Sequence, residues 1–166
     1  MQSSTITLEA PPKKRILLVD DHPVVRHALT PLIELQPNLV FCGEAESATG
    51  AIRAVEDDLP DVAIIDTSMT GANGIELIKH LRAGFPELVI LVLSMHDELL
   101  YAERASKAGA RGYVMKREAT EKLADAVEKI TSGEAYISQR VNEMLIERLS
   151  TGTSDSQPDL VHSLSA

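Results

Sequence analysis

A doubly wound α/β domain is predicted by three features of this 166-residue sequence. Five short apolar runs are nearly continuous rather than alternating, as in strands buried on both faces of a parallel sheet. Each run precedes a segment whose apolar residues recur at three- and four-residue steps, which gathers them into one stripe of a helix. Strict alternation of strand and helix, joined by right-handed crossovers, then places helices on both sides of the sheet.

Residues 1 to 13 are polar, end in the turn-prone EAPPKK and read as an N-terminal tail. The domain proper runs from residue 14 to 133 and starts with the strand RILLVD. Its first helix carries Val25, Ala28, Leu29, Leu32 and Ile33. LVFCGEA (39 to 45) supplies the second strand, and Ala48, Ala51, Ile52 and Val55 the second helical stripe. DVAIID (61 to 66) precedes Ile75, Ile78 and Leu81, and LVILVLS (88 to 94) precedes Tyr101, Ala102, Ala105 and Ala108. RGYVMK (111 to 116) precedes Ala119, Leu123, Ala126, Val127 and Ile130. Five such pairs, (βα)5, suit the flavodoxin-like strand order 2-1-3-4-5. Residues 134 to 150 add a C-terminal helix, capped by Ser138, with Val141, Met144, Leu145, Ile146 and Leu149 on its apolar side. Residues 151 to 166, rich in Ser, Thr, Gly and Asp, read as a linker.

Composition excludes several classes of function. A formal charge of −9 repels a polyanion instead of releasing its counterions, so this stretch is not itself a nucleic-acid binder. Aromatic residues are 3% of the chain and tryptophan is absent, which leaves neither a base-stacking platform nor an aromatic cage. No apolar run approaches the roughly 18 residues that span a bilayer, and the N-terminus lacks a signal-peptide core, so a cytoplasmic protein without a membrane partner is expected. The single cysteine, Cys42, sits in an apolar run and reads as an inert core residue.

Chemistry concentrates at the strand ends. Asp20 and Asp21 follow the first strand and Asp66 ends the third, and in a doubly wound sheet the C-terminal strand ends converge on one crevice. Carboxylates brought within roughly 4 to 6 Å repel one another unless a cation neutralises them, and an all-oxygen set that keeps its waters suits Mg²⁺. Lys116 closes the fifth strand and Ser94 the fourth, adding an ammonium and a hydroxyl to form a receptor the size of a phosphate. Phosphoryl transfer needs this combination of metal and lysine around an in-line nucleophile, and Asp66 is the best placed nucleophile. Alone, each residue reads as a turn former, a helix cap or a solvated lysine. The weight lies in five suitable residues at four strand ends.

With LLVDDH at 17 to 22, IIDTSMTGANG at 64 to 74, LVLSMHDE at 91 to 98 and AGARGYVMK at 108 to 116, the chain resembles the receiver domains of bacterial two-component response regulators over residues 14 to 132. The later motifs and the YIS segment resemble most the NarL/FixJ type, with its LuxR-type output. The resemblance implies a signalling phosphoacceptor, not an enzyme acting on a separate substrate. Asp66 would accept phosphate from a sensor histidine kinase. Asp21 would bind Mg²⁺ directly, Asp20 through water, and Ser68 through its backbone carbonyl, with Mn²⁺ as an alternative ion. Ser94 and Tyr113 would be the switch hydroxyl and switch aromatic. DNA would be bound only through a helix-turn-helix output domain beyond residue 166, and the C-terminal helix could support a homodimer.

Thr70 stands where the family usually has proline, so the loop after Asp66 lacks a fixed φ. It leaves a second reading open, a pseudo-receiver that binds partners without phosphorylation, against which the five polar groups argue. A small-substrate phosphatase of the haloacid dehalogenase type would need an Asp at position 68, where Ser68 stands. A dinucleotide enzyme would need a glycine-rich loop where DDHP stands. His22 and His96 flank the crevice and read as hydrogen-bonded surface imidazoles. His27, His80 and His162 have no metal-ligand spacing.

Overall fold

The computed structural model describes residues 12–69, 73–95, 99–137 and 139–150. Six parallel strands form one sheet in the order β2-β1-β3-β4-β5-β6. They are β1 (Lys14–Val19), β2 (Leu39–Ala45), β3 (Val62–Asp66), β4 (Val89–Ser94), β5 (Gly112–Met115) and β6 (Tyr136–Ile137). The helices are α1 (Pro23–Glu34), α2 (Ala48–Asp58), α3 (Gly74–Gly84), α4 (Leu99–Ala108), α5 (Ala119–Thr131) and α6 (Gln139–Ser150). The flavodoxin-like order 2-1-3-4-5 is present and is extended by one strand that the sequence did not announce. After Gly133, at φ +95°, the chain returns beside β5 and pairs Gly112 with Tyr136 and Tyr113 with Ile137. Two residues are too few to show a period, so the sequence placed them within the helical addition of residues 134 to 150, where the structure has a strand before the helix.

Alternate residues along each strand point to opposite faces, and the core divides accordingly. Ile16, Leu18, Ile64, Leu91 and Val114 pack with α1 and α5 through Leu29, Ile33, Leu123, Val127 and Ile130. Leu17, Val19, Ile65, Val92 and Tyr113 pack on the other face with α2, α3 and α4 through Ala51, Val55, Ile78, Leu81 and Ala105. Full burial of β3 on both faces explains its unbroken apolar sequence.

Two expectations need adjusting. Cys42 is only partly buried and packs against the margin of the core, at the point where the β1–β2 register slips: Ile16 pairs with Phe41 and Leu17 with Gly43. Burial nevertheless pushes its thiol pKa up, the largest of several influences, which disfavours the reactive thiolate. On α6, Met144 packs against the core, whereas Ile146 and Leu149 are exposed. Ser138, Thr70 and His96, the two tails (residues 1–11 and 151–166) and the side chains of Val141 and Leu145 lie outside what is described.

Candidate functional site

The crevice forms where β1 and β3 end side by side. Val19 of β1 pairs with Ile65, so Asp20 emerges beside Asp66, and both carboxylates are fully buried. Asp66 pairs with Leu93, which brings Ser94 one step beyond it, and Ser94 pairs with Met115, immediately before Lys116. All the sequence-predicted strand-end groups therefore reach the same end of the sheet. Ser94 is buried, and Lys116 begins a short 3-10 turn, Lys116–Glu118, with its side chain only 8% exposed.

The two oxygens of Asp66 have different partners. Oδ2 accepts from Lys116 Nζ at 2.8 Å, while Oδ1 accepts the Ser68 backbone N–H at 2.9 Å and the Ser68 hydroxyl at 2.6 Å. Burial is the largest single influence and pushes the Asp66 pKa up, but the hydrogen bonds from Lys116 and Ser68 together outweigh it. The carboxyl is held below its usual range and stays ionised. The hydroxyl contact from Ser68 was not anticipated, since only its carbonyl had been assigned a role.

Asp20, Asp21, His22 and Asp66 each offer a donor atom, all within 4.8 Å of one another. Lys116 Nζ lies 3.2 Å from Asp20 Oδ2, yet that buried oxygen accepts no hydrogen bond, because the ammonium approaches outside donor geometry. The ion pair attracts the carboxylate without satisfying that oxygen, since charge attraction is far less directional than a hydrogen bond. A buried carboxylate oxygen without a hydrogen-bond donor, beside two further carboxylates, fits a hard divalent cation such as Mg²⁺.

Behind the crevice stands Arg26, which sequence reasoning missed. Its guanidinium donates to the Asp20 carbonyl and pairs with Glu44 at 3.4 Å and Glu46 at 4.0 Å. Its partners all lie outside its own helix: Asp20 in the loop after β1, Glu44 on β2 and Glu46 just after β2. The turn after Asp66 is equally constrained. A Cβ at Gly74 would stand 2.8 Å from Thr67 Cα, so only glycine allows α3 to start there. Asn73 caps that helix through bonds from Ile75 and Glu76 at 3.1 and 3.2 Å. Tyr113 is buried on β5, its ring 6.3 Å from that of Tyr101. None of the described helices is long and apolar enough to cross a membrane.

Residues 16–128 match the response regulator receiver domain. The chain is 33% identical to the transcriptional regulatory protein DegU of Brevibacillus brevis over 135 residues, covering 81% of this chain and 57% of DegU. It is similar in structure to a LuxR-family two-component response regulator from Aurantimonas sp. SI85-9A1, with a TM-score of 0.79 and 35% identity over 83% of this chain and 99% of that one. The isolated receiver domain of RcsB from Salmonella enterica serovar Typhimurium, solved with the phosphomimetic BeF3-, gives a TM-score of 0.74 at 28% identity, covering 79% and 97%. With its sheet order, its strand-end carboxylates and these likenesses, the chain belongs to the response regulator receiver family, whose members are signalling proteins.

Proposed function

We propose that this chain is the phosphate-accepting part of a transcriptional switch. An Asp66 carboxylate oxygen attacks the phosphorus of a phosphohistidine on a sensor histidine kinase. The O–P bond of an acyl phosphate forms, the P–N bond breaks, and its electron pair leaves with the imidazole. The observation that carries this reading is the Lys116 ammonium 2.8 Å from Asp66, with Asp20 in the same buried cluster.

Asp20, Asp21, Asp66 and the Ser68 carbonyl would hold Mg²⁺, and Mn²⁺ suits the same oxygens. When bound, the ion neutralises charge on the phosphoryl oxygens. Lys116 pairs with another of those oxygens. Ser94 donates to a third, and Tyr113 follows it inward, so that added charge is read out as a shift around α4 and β5. Water later hydrolyses the acyl phosphate and resets the switch.

Residues 14 to 133 form the receiver unit in this reading. The segment 134 to 150 is a helix available to a homodimer, and residues 151 to 166 lead toward a DNA-binding domain. The likeness to DegU, a transcriptional regulatory protein, supports such an output, and the protein would work in the cytoplasm.

Incubation with Mg²⁺ and acetyl phosphate, followed by intact-mass measurement, tests the proposal. The wild-type chain gains one phosphoryl mass and Asp66→Asn gains none. No gain in the folded wild type, or an equal gain in the variant, overturns it.

A further inference from the structure

We infer that Arg26 is a positioning residue for the cation site: by gripping the Asp20 carbonyl it holds the Asp20–Asp21 peptide against the end of β2, and so aims Asp21 at the ion. This rests on the metal-site reading above and adds to it a residue outside the acidic crevice.

Arg26 lies near the start of α1 and is only 9% exposed. A charge so buried is costly unless it is paired and hydrogen-bonded. Each nitrogen of the guanidinium has a partner of its own. Nη1 donates to the Asp20 carbonyl, Nε faces Glu44 Oε1 at 3.4 Å and Nη2 faces Glu46 Oε2 at 4.0 Å. The Nε contact is charge attraction outside hydrogen-bond geometry, so the directional bond is the one to Asp20.

The same short segment holds Asp20 from its other side. Ala45, between the two glutamates, accepts the Asp20 N–H through its carbonyl at 3.0 Å. The end of β2 therefore fixes the Asp20 N–H directly and the Asp20 carbonyl through Arg26. A peptide is planar, so that carbonyl oxygen and the Asp21 N–H share one plane. Fixing the oxygen sets the direction in which Asp21, whose side chain is 20% exposed, leaves the turn.

Position and charge make opposite demands here. A cation behind the crevice repels a dication, so by charge alone the loss of Arg26 tightens Mg²⁺ binding. Loss of the grip on the Asp20 carbonyl weakens it, because Asp21 is no longer held toward the ion. The sign of the change separates the two.

The test is calorimetric titration of the full chain with MgCl₂, for the wild type, Arg26→Met, Arg26→Lys and Val127→Ala, each checked for cooperative folding by circular dichroism. Arg26→Met is expected to bind Mg²⁺ about tenfold more weakly, as when a partner behind a metal ligand is removed. Arg26→Lys keeps the charge but offers a single nitrogen, and should lose affinity in the same direction. Val127→Ala opens space in the buried face between the sheet and α5, and should leave Mg²⁺ affinity unchanged. With acetyl phosphate, the Mg²⁺ concentration for half-maximal phosphorylation of Arg26→Met should rise in proportion, with the rate at saturating Mg²⁺ close to wild type. Unchanged or tighter Mg²⁺ binding in Arg26→Met, an equal loss in Val127→Ala, or a lowered saturating rate at an unchanged half-maximal concentration overturns the role of Arg26. If Arg26→Met does not fold, wild-type affinity in Arg26→Lys overturns it. A folded wild type that binds no Mg²⁺ overturns the metal-site reading, and this inference with it.

Discussion

The two ends of the sheet are built from the same strands and differ in kind. At the C-terminal end, the buried groups of β1, β3, β4 and the residue after β5 are charged or polar and in close contact. At the other end, beside α4, lies a half-open pocket of about 420 Å³ whose lining mixes apolar groups such as Val89, Ala102, Ala105 and Ala110 with Arg82, Glu87 and Arg111. One end is held together by electrostatics, and the other leaves open space between α4 and β5. β5 reaches both, through Lys116 at one end and Gly112 at the other, with Tyr113 bordering the cavity. A shift in β5 meets charged constraint at the top and slack below.

The largest expected effect is at the charged end. Lys116→Met removes the cation beside two buried carboxylates, and breaking such a pair costs about 3 to 5 kcal/mol where the charges stay buried. Part of that cost is avoided if Asp66 takes up a proton. Denaturant titration should therefore show a clear loss of stability at neutral pH, and carbon-detected NMR should show the Asp66 carboxyl titrating at higher pH than in the wild type. An unchanged midpoint and unchanged titration would show that Lys116 does not hold the crevice together.

A smaller contrast separates packed from hollow regions. Ala63→Leu inserts bulk into fully buried β3 and should cost about 1 to 3 kcal/mol. The same substitution at Ala110, a partly buried residue lining the cavity, should stay within about 0.5 kcal/mol of the wild type. Equal losses in paired denaturation curves would mean that the hollow is not available to side chains.

The smallest effect concerns acid. The Asp66 pKa is lowered in the folded state, so its ionisation contributes stability that is fully present above the ordinary carboxylate pKa. That contribution fades as pH falls below about 4 and through the lower folded value. Between neutral pH and pH 3, the wild type should lose more stability than Asp66→Asn. Parallel curves would show that Asp66 has no part in acid unfolding.

Much of this contrast could be read from the sequence, but unevenly. Asp20, Asp66, Ser94 and Lys116 were legible because apolar runs fix where strands stop, and in a doubly wound sheet those ends meet. Arg26 was not, since its role depends on partners on another strand that no periodicity reveals. Ser68 was assigned through its backbone, so its hydroxyl bond to Asp66 went unseen. His22 was legible as a hydrogen-bonded surface imidazole, and its half-exposed ring does lie 2.9 Å from Asp20 Oδ1. β6 was too short to register, and the cavity is a volume left between elements, for which there is no sequence signal.

The outer strands carry a last consequence, for how copies of the chain can meet. β6 exposes only two residues, and Lys129 stands over the Tyr136 ring with its ammonium 5.6 Å from the ring centre. β2 is longer, but its register slip at Cys42 bends it and Glu44 adds charge along it. A short edge, a bulge and a charge are each poor templates for strand addition. Neither border of the sheet invites a neighbour's strand to continue it, so self-assembly falls to the helical surfaces and fibre-like growth is disfavoured.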